Sequence, residues 1–502
     1  MKVLMFGWEF PPHISGGLGT ACHGIVSGLG KLPDTKVIFV VPKVFGDEKA
    51  KNTVFAGANK FVEKHTTILN RKVRIAVEQP PTLEEKVIIK HKTKTSWQEA
   101  KEKLIYIETA SMLHPYMQAE QIERILERKR INPQTVHFDE EGRMVAMVEG
   151  KEKIIEITFQ DLQTVEKTEK FEFTGKYGAN LYNETGMFAR VASKLSQKYD
   201  FDVIHAHDWL TYEAGIAAKN ISGKPLVIHV HATEFDRSGG AVNHRVFQIE
   251  KHGMECADAI ITVSNLTKDI VVEKYGINPK KVFTVYNAVD FKPDKKKYTK
   301  PKGEKLITFL GRITYQKGPE YFIEAAFLVL QKLKNVRFVM AGNGDMFHRM
   351  ISRAAQLGIA DKFHFTDFLK KDEVRHLFAV SDVYVMPSVS EPFGIAPLEA
   401  VKSNVPVIIS KQSGVAEVLK HAIKVDFWDV NAMADAIYGL VKYPALSKFF
   451  IRTGREEVNR LKWDSCAVKI NEVYKKAEQL SKTPHIETKT VWQEESEIAT
   501  LV

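Results

Sequence analysis

The chain has 502 residues, of which 44% are hydrophobic and 27% charged, and it carries a formal net charge of +10. That length is more than one ordinary hydrophobic core supports, so we expect a soluble globular protein of two or three domains. Much of the positive excess lies in lysine-rich connections such as residues 280–305. Because these lack the interleaved aromatic and basic residues of a base-reading module, we expect an anionic nucleotide and no nucleic acid as partner.

The first predicted element is the strand MKVLMFGW, which starts at residue 1 and leaves no room for a signal peptide. No apolar run approaches the ~18 residues that a membrane helix needs. Cys22, Cys256 and Cys466 lie far apart and form no C-x-x-C pair, which suits a reducing compartment. These features predict a cytoplasmic protein with no membrane partner.

A β-α-β unit occupies residues 1–45, because this strand is followed by a Gly/Pro-rich turn, a helix and a second strand, KVIFVVP. The turn contains GGLGT at residues 16–20. Glycines let a backbone approach a phosphate, and amides at a helix start offer an anion site, so Gly16 and Gly17 are candidate phosphate-binding residues. A tight strand-to-helix turn explains the same glycines, since the stretch is neither G-x-G-x-x-G nor a Walker loop.

The pattern changes between about residues 46 and 175, where the sequence is rich in charge and alternates in segments such as RKVRIAVE and EKIIEITF. Alternation of this kind predicts antiparallel strands, and one helix is expected at 117–130. We interpret the region as an insertion in the first lobe. It could stabilise that lobe as a cap or bind an acceptor or partner.

The β-α rhythm returns near residue 187, and two of its strands end in IHAHDW and IHVHATEFDR. In each strand the histidines alternate by two and therefore face one way. The four histidines either form a metal set or are buried side chains satisfied by hydrogen bonds, and we expect no metal. They are His205, His207, His229 and His231. Asp200 and Asp202 form an Asp-x-Asp before the strand, where a loop is the better interpretation.

A Pro/Lys-rich linker at 291–304 precedes a second series of strands and helices. We therefore expect an α/β protein of two doubly wound, Rossmann-like lobes, at 1–290 and 300–460, with an interdomain cleft near the carboxyl ends of both sets of strands. A last helix, at about 464–482, is expected to pack back on the first lobe. The polar residues 483–502 form a tail.

LGRITYQKG follows the first strand of the second lobe and holds Arg312 and Lys317 five positions apart. A guanidinium fork and an ammonium at the carboxyl end of a strand can converge on a diphosphate. A solvated pair of charges is the alternative.

Two glutamates, Glu391 and Glu399, lie in SVSEPFGIAPLEAVK, where a strand, a loop and a helix are predicted in turn. A helix start favours negative charge by only about 0.3–1 kcal/mol, and Glu399 lies too deep in the helix to cap it. A ligand with hydroxyls at two separated places, bridged by an anionic group on the amides of Gly394 and Ile395, would use both carboxylates. A sugar nucleotide has this layout.

Taken together, the Gly-Gly turn, HAHDW, HATEFDR, VSN, YNAVD, GRITYQKG, AGNGD and EPFGIAPLE resemble, in this order, the retaining glycosyltransferases of GT-B fold, and specifically the glycogen and starch synthases. The resemblance covers about residues 1–45 and 176–480. It implies a metal-independent transferase without a cofactor, in which cations and helix amides neutralise the departing diphosphate.

The resemblance also implies the role of each residue. Gly16 and Gly17 would lie by the donor diphosphate and sugar, and Arg312 and Lys317 would hold the diphosphate. Glu391 would contact the transferred hexose and Glu399 the ribose. The remaining residues would line the sugar and donor sites, with the backbone carbonyl of His231 facing the anomeric centre; they are His231, Asp208, Asn287 and Phe393.

The reaction implied is transfer of glucose from a nucleoside-diphosphate glucose to the non-reducing end of an α-1,4-glucan. Bacterial members that use ADP-glucose usually carry Lys before the Gly-Gly turn and Cys two residues after the first glutamate, where this chain has Ile14-Ser15 and Phe393. The donor, ADP-glucose or UDP-glucose, therefore stays open, as does a homo-oligomer. The alternatives are a trehalose-forming enzyme, a mannosyltransferase, and a catalytically silent regulator that binds glucan or nucleotide.

Overall fold

A computed structural model describes residues 1–13, 16–60, 62–65, 95–96, 126, 130–132, 135–138, 144–148, 151–154, 167–170, 173–175, 177, 181–293 and 303–482. The chain divides into two units, one of Met1–Phe61 with Phe171–Val502 and one of Val62–Lys170. Most of the helix expected at 117–130, part of the linker and the polar tail at 483–502 lie outside the described residues.

The described residues contain nineteen strands and fourteen helices. In chain order the strands are β1 (Lys2–Phe6), β2 (Lys36–Val41), β3 (Thr53–Gly57), β4 (Val62–His65), β5 (Thr95–Ser96), β6 (Val136–Phe138), β7 (Met144–Val148), β8 (Lys151–Ile154), β9 (Lys167–Lys170), β10 (Val203–His207), β11 (Leu226–Val230), β12 (Ala259–Thr262), β13 (Val282–Thr284), β14 (Lys305–Leu310), β15 (Val336–Ala341), β16 (Phe363–Thr366), β17 (Val383–Met386), β18 (Val407–Ser410) and β19 (Ile423–Val425). The helices are α1 (Gly17–Leu29), α2 (Leu181–Lys198), α3 (Trp209–Ser222), α4 (Glu234–Ser238), α5 (His244–Cys256), α6 (Asn265–Glu273), α7 (Pro319–Lys332), α8 (Phe347–Gln356), α9 (Lys371–Val380), α10 (Ala396–Lys402), α11 (Val415–Val418), α12 (Val430–Lys442), α13 (Pro444–Val458) and α14 (Trp463–Ser481).

The first lobe is built on a parallel sheet of seven strands in the order β13-β12-β11-β10-β1-β2-β3. Alternate residues of β1 enter different cores. Leu4 and Phe6 pack with residues of α2 and α3, whereas Val3 and Met5 pack with residues of α1 and α14. Because helices cover both faces of the sheet, its strands are nearly all apolar.

The second lobe repeats this arrangement on a parallel sheet of six strands in the order β16-β15-β14-β17-β18-β19. Val383 and Val385 of β17 face a core shared with α7 and α12, and Tyr384 and Met386 face a core shared with α10 and α11. The expectation of two doubly wound α/β lobes is therefore confirmed.

Helix α14 lies against the first lobe, although it is the last described helix of the chain. Cys466, Ile470 and Tyr474 are buried in the same core as Val3 and Met5. The contact with α1 is so close that a Cβ at Gly24 would lie 2.1 Å from Cε2 of Trp463. Glycine at this position lets the two helices approach each other.

The second unit contains antiparallel strands only, among the residues that the structure describes. Strand β4 pairs with β9, and β5, β6, β7 and β8 form a four-stranded sheet. The sequence analysis begins this insertion near residue 46, but β3 pairs in parallel with β2 and is the edge strand of the first lobe. Of the alternating segments, EKIIEITF begins within β8, whereas RKVRIAVE lies outside the described residues. The edge strand β3, TVFAG, carries no charged residue, but it closely follows the charged stretch at 47–51, which is counted in the predicted insertion.

Helix α2 begins at Leu181 rather than at residue 187, since Leu181 packs at the margin of the first core. Within the described part of the chain, no helix combines the length and the apolar content that crossing a bilayer requires.

Candidate active site

A cavity of about 900 Å³ lies where the carboxyl ends of parallel strands from both lobes meet. Asp208 follows β10, His231 follows β11, and Arg312 follows β14. All twelve residues that the sequence assigns to the site line this cavity. They are Gly16, Gly17, Asp208, His231, Asn287, Arg312, Lys317, Glu391, Phe393, Gly394, Ile395 and Glu399.

Gly16 is the N-cap residue of α1, and Gly17 is its first residue. A Cβ at either position would meet no atom within 4 Å. The fold itself therefore does not require glycine here. The open space at both positions favours a loop that a ligand approaches closely over a tight strand-to-helix turn. It does not identify the ligand.

Asp208 occupies a strained turn between β10 and α3. Its backbone angles, φ 58° and ψ 169°, lie in a region that residues other than glycine rarely adopt, at a cost on the order of 1–3 kcal/mol. Its Oδ1 accepts hydrogen bonds from the amides of His231 at 2.7 Å and Ala232 at 3.4 Å. Burial raises the pKa of Asp208 to about 7, although nearby Arg237 acts in the opposite direction. Asp208 thus fixes the start of the loop after β11 at the cavity wall.

The histidines of β10 and β11 form two hydrogen-bonded pairs. His207 Nδ1 lies 2.9 Å from His231 Nε2, and His205 Nε2 lies 3.2 Å from His229 Nδ1. The hydroxyl of Tyr474, from α14, is 2.7 Å from His205 Nδ1. Burial lowers the pKa of His231 and of His205 to about 3, so both rings are neutral near pH 7. His231 therefore offers the cavity a neutral hydrogen-bonding group and no cation.

This cluster also contains two groups of side chains whose ligand atoms lie within 4.8 Å of one another: His205 with His207 and His229, and Cys22 with His207 and His231. The buried Nε2 atoms of His207 and His229 have no hydrogen-bond partner in the described part of the chain. Hydrogen bonds thus satisfy most of the ring nitrogens but not all. The absence of a metal from the reaction stays a prediction.

Arg237 lines the cavity, although the motif HATEFDR predicts no role for it. Its Nε donates to Glu234 Oε2 at 3.2 Å, and its Nη2 donates to Glu250. Glu250 also accepts hydrogen bonds from the Tyr275 hydroxyl and, at 3.0 Å, from the amide of Glu234. Burial lowers the pKa of Arg237, but Glu250, Asp208 and Glu234 more than offset this, so the pKa is raised and the cation is permanent. Glu250 lies on α5, outside every quoted motif, so the sequence offers no local signal for this network.

In the second lobe, Lys317 and Glu391 form an ion pair at the cavity wall. The Lys317 Nζ to Glu391 Oε2 distance is 2.5 Å, and the Ser388 hydroxyl donates to the same oxygen at 3.2 Å. Lys317 ends a 3₁₀ turn at Gly318, whose φ is 63° and where a Cβ would lie 2.1 Å from the carbonyl oxygen of Pro387. Glycine at 318 therefore lets this turn press against the segment that carries Glu391.

Arg312 is exposed, and its guanidinium donates to the neutral side chain of Gln316 at 3.3 Å. It thus keeps its charge for an anion in the cavity. Arg312 and Lys317 both line the cavity, as expected of two cations at the cleft.

Glu399 lies within α10 and is half-buried. Burial raises its pKa to about 7, and the cations Lys371 and Arg375 act in the opposite direction. Phe393 is buried beside it in the core of the second lobe, while Gly394, with φ 96°, turns the chain towards Ile395 at the N-cap of α10. The loop and helix predicted at 388–402 therefore present both carboxylates to one cavity.

Asn287 is buried, and its Oδ1 has no hydrogen-bond partner in the described part of the chain. A buried amide oxygen without a partner is costly, so a bound ligand or water that donates to it would stabilise the site. Asp200 and Asp202 lie before β10, at its amino end, where Asp202 accepts from the amide of Lys2 at 2.7 Å. Neither lines the cavity, which agrees with their interpretation as a loop.

Two family models match the chain. The model "Glycosyltransferase Family 4" matches residues 171–292, and "Glycosyl transferases group 1" matches residues 290–457. The first match ends and the second begins at the linker between the two lobes. The insertion belongs to neither.

Similar proteins include an uncharacterized glycosyltransferase of Methanocaldococcus jannaschii, which is 33% identical over 302 residues that cover 56% of this chain and 76% of the relative. A glycogen synthase of Mycobacterium tuberculosis is 26% identical over 292 residues, covering 56% and 70%. Among solved structures, sucrose-phosphate synthase from Thermosynechococcus elongatus has a TM-score of 0.61 at 14% identity, covering 95% of this chain and 98% of that one.

Proposed function

The chain belongs to the GT-B glycosyltransferases and resembles the glycogen and starch synthases among them, and from this premise we propose a glucosyl transfer. The donor is a nucleoside-diphosphate glucose, and the acceptor is the non-reducing end of an α-1,4-glucan. The configuration at the anomeric carbon is retained.

One observation carries this proposal: all twelve residues expected at a sugar-nucleotide site line a single cavity. They come from segments as distant as residues 16 and 399, so their convergence is not a local property of the chain. A protein that had lost catalysis would have no reason to keep Lys317 paired with Glu391 at the wall of this cavity.

The role of each residue combines its chemistry with what the resemblance to the glycogen and starch synthases implies. Arg312 and Lys317 neutralise the diphosphate as it departs, so the transfer needs no metal ion. Glu391 accepts hydrogen bonds from hexose hydroxyls and Glu399 from the ribose. The backbone of His231, held by Asp208, lies beside the anomeric centre, and the departing phosphate accepts the proton of the attacking hydroxyl. This front-face course explains retention without a protein nucleophile.

The test is release of nucleoside diphosphate from ADP-, UDP- and GDP-sugars, with glycogen, maltose and glucose as acceptors. We expect turnover with a glucose donor and a glucan, and activity that a chelator does not abolish. Activity with a mannose donor alone would exclude the glucan reaction, and activity with free glucose alone would favour a trehalose-forming enzyme. A strict need for added divalent metal would direct attention to the histidine cluster.

A further inference from the structure

Helix α6 in the first lobe begins at the motif VSN, to which the proposed reaction gives no role. The amides of the first turn of a helix have no partner within the helix and must be satisfied from outside it. The amide of Thr267 donates to the hydroxyl of Ser264, the N-cap residue, at 3.0 Å. The amides of Asn265 and Leu266 need another acceptor.

That acceptor comes from the second lobe. The amide of Asn265 donates to Glu417 Oε2 at 3.0 Å, and the amide of Leu266 donates to Glu417 Oε1 at 2.9 Å. Glu417 lies on α11, 152 residues further along the chain. A carboxylate in this position also complements the positive end of the helix dipole. Helix α6 is therefore capped fully only when the two lobes meet.

Tyr286, from the motif YNAVD in the first lobe, adds a third hydrogen bond to Glu417. Its hydroxyl donates to Glu417 Oε2 at 2.8 Å and accepts from the side-chain amide of Asn265 at 2.8 Å. Thr284 in turn donates to Asn265 Oδ1 at 2.9 Å. Burial, with the adjacent Glu417, raises the pKa of Tyr286 to about 12, so the phenol keeps the proton that it donates.

The segment that carries Glu417 is also joined to the segment that carries Glu391. The amide of Gly414 donates to the carbonyl of Glu391 at 2.9 Å, and the amide of Val415 donates to that of Phe393 at 2.7 Å. The amide of Glu391 donates back to the carbonyl of Gln412 at 3.0 Å. A displacement of Glu417 would therefore be transmitted through the backbone to the donor site.

We propose that Glu417 is a positioning residue that holds the second lobe, with the segment carrying Glu391, against the first lobe by capping helix α6. This proposal rests on the proposed function in one respect: the arrangement of the two lobes that Glu417 holds is the one in which sugar transfer takes place. The donor binds mainly to the second lobe, whereas reaction also needs Asp208 and His231 of the first. Loss of Glu417 should therefore lower kcat more than it weakens donor binding.

The first experiment measures the separation of the lobes without any substrate. Spin labels are placed at the exposed positions Ile221 and Tyr443 by substitution with cysteine, in a Cys256→Ser background, since Cys22 and Cys466 are buried. We expect a narrow distance distribution in the parent protein and a broader, longer one in Glu417→Ala. Glu417→Gln, which keeps one acceptor oxygen but no charge, should lie between them.

The matched control is Glu457→Gln. Glu457 also accepts a backbone amide, that of His421 at 3.1 Å, and it contacts His421 Nδ1 at 2.8 Å, but both residues belong to the second lobe. This variant should leave the distance distribution and kcat unchanged. If it broadens the distribution as much as Glu417→Ala does, the effect is general loosening of the second lobe and the proposal is wrong.

The second experiment compares kcat with the dissociation constant of the donor. We expect Glu417→Ala to lower kcat about tenfold, the loss from about one hydrogen bond to a charged group, while donor affinity changes less than about threefold. Tyr286→Phe should have a smaller effect of the same kind. An unchanged distance distribution together with an unchanged kcat in Glu417→Ala would overturn the proposal. If no nucleotide sugar is turned over by the parent protein, the proposed reaction fails, and the distance measurement still decides the role of Glu417.

Discussion

The first-lobe wall and the second-lobe wall of the cavity differ in how their charged side chains are paired. On the first-lobe wall the cation Arg237 is bound by Glu234 and Glu250, and the histidines are neutral. On the second-lobe wall Arg312 contacts only the neutral Gln316 among the polar partners that the structure describes, and Lys317 contacts Glu391 at the edge of the cavity. The first wall is thus internally compensated, whereas the second combines one compensated pair, Lys317 with Glu391, with the exposed cation Arg312, whose described partner is neutral.

The difference separates stability from ligand binding. A charged group that is buried and paired contributes to the fold mainly through the cost of breaking its pair. An exposed charged group such as Arg312 contributes little to the fold and is available for the ligand. Substitutions in the network of Glu250 should therefore lower the stability of the protein, and substitution of Arg312 should lower its activity while leaving it folded.

The largest expected effect is on stability, at the first wall. Glu250→Gln removes one of the charges that Arg237 faces, at a site where Glu250 is only 2% exposed, so the free energy of unfolding should fall by about 3 kcal/mol in denaturant titrations. Glu255→Gln on the same helix is the control, because Glu255 is exposed and its ion pair with Lys251 is long, at 3.9 Å. Equal stability of the two variants would show that the first wall is not locked by charge.

At the second wall, Lys317→Ala should lower the turnover rate at least ~100-fold, the usual effect of deleting one preorganised electrostatic contact, and Glu391→Ala should do the same. Because the two side chains of this pair are only 19% and 10% exposed, circular dichroism must first show that each variant is folded. Lys332→Ala serves as control, since its pair with Asp435 is exposed at 3.6 Å. Rates like those of the parent protein in both site variants would contradict the assignment.

Arg312→Gln should raise the KM for the donor about 20-fold, because a charge-assisted hydrogen bond to the diphosphate contributes roughly 1.5–3 kcal/mol. Its melting temperature should stay within about a degree, since the side chain is exposed. A lower melting temperature with an unchanged KM would assign Arg312 to the fold instead of to the ligand.

The smallest effect concerns pH. The pKa of Glu399 is raised from its ordinary 4.5 to about 7, so its carboxyl is mostly protonated at pH 6 and mostly ionised at pH 8. In the proposed donor complex only the ionised form can accept from both ribose hydroxyls, because the protonated form gives up part of its capacity to accept. Donor affinity should therefore fall about tenfold from pH 8 to pH 6, following the ionised fraction. Glu399→Gln should remove this dependence; its persistence would assign the titration to another group such as Asp208.

The candidate site could be predicted from the sequence because its residues follow strands of parallel sheets. HAHDW, HATEFDR, GRITYQKG and the segment of Glu391 each stand after an apolar strand, and the carboxyl ends of parallel strands meet at one edge of a sheet. The order of strands thus placed Arg312 and Glu391 near one another, and the resemblance to a known family added Asp208 and His231. Neither could indicate Glu250, whose helical surroundings have no pattern that distinguishes a buried carboxylate from an exposed one.

The sequence by itself determined that two doubly wound lobes share a cleft, because apolar strands and helix starts are local features that repeat in order along the chain. The motifs and the family they resemble also indicated twelve of the residues that line that cleft, but not Arg237. Only the tertiary structure decided which charges are compensated and which stay available: Glu250 reaches Arg237, and Glu417 reaches the start of α6, through packing between elements far apart in the chain. Such pairings depend on distances of a few ångströms, and no spacing along a sequence specifies them.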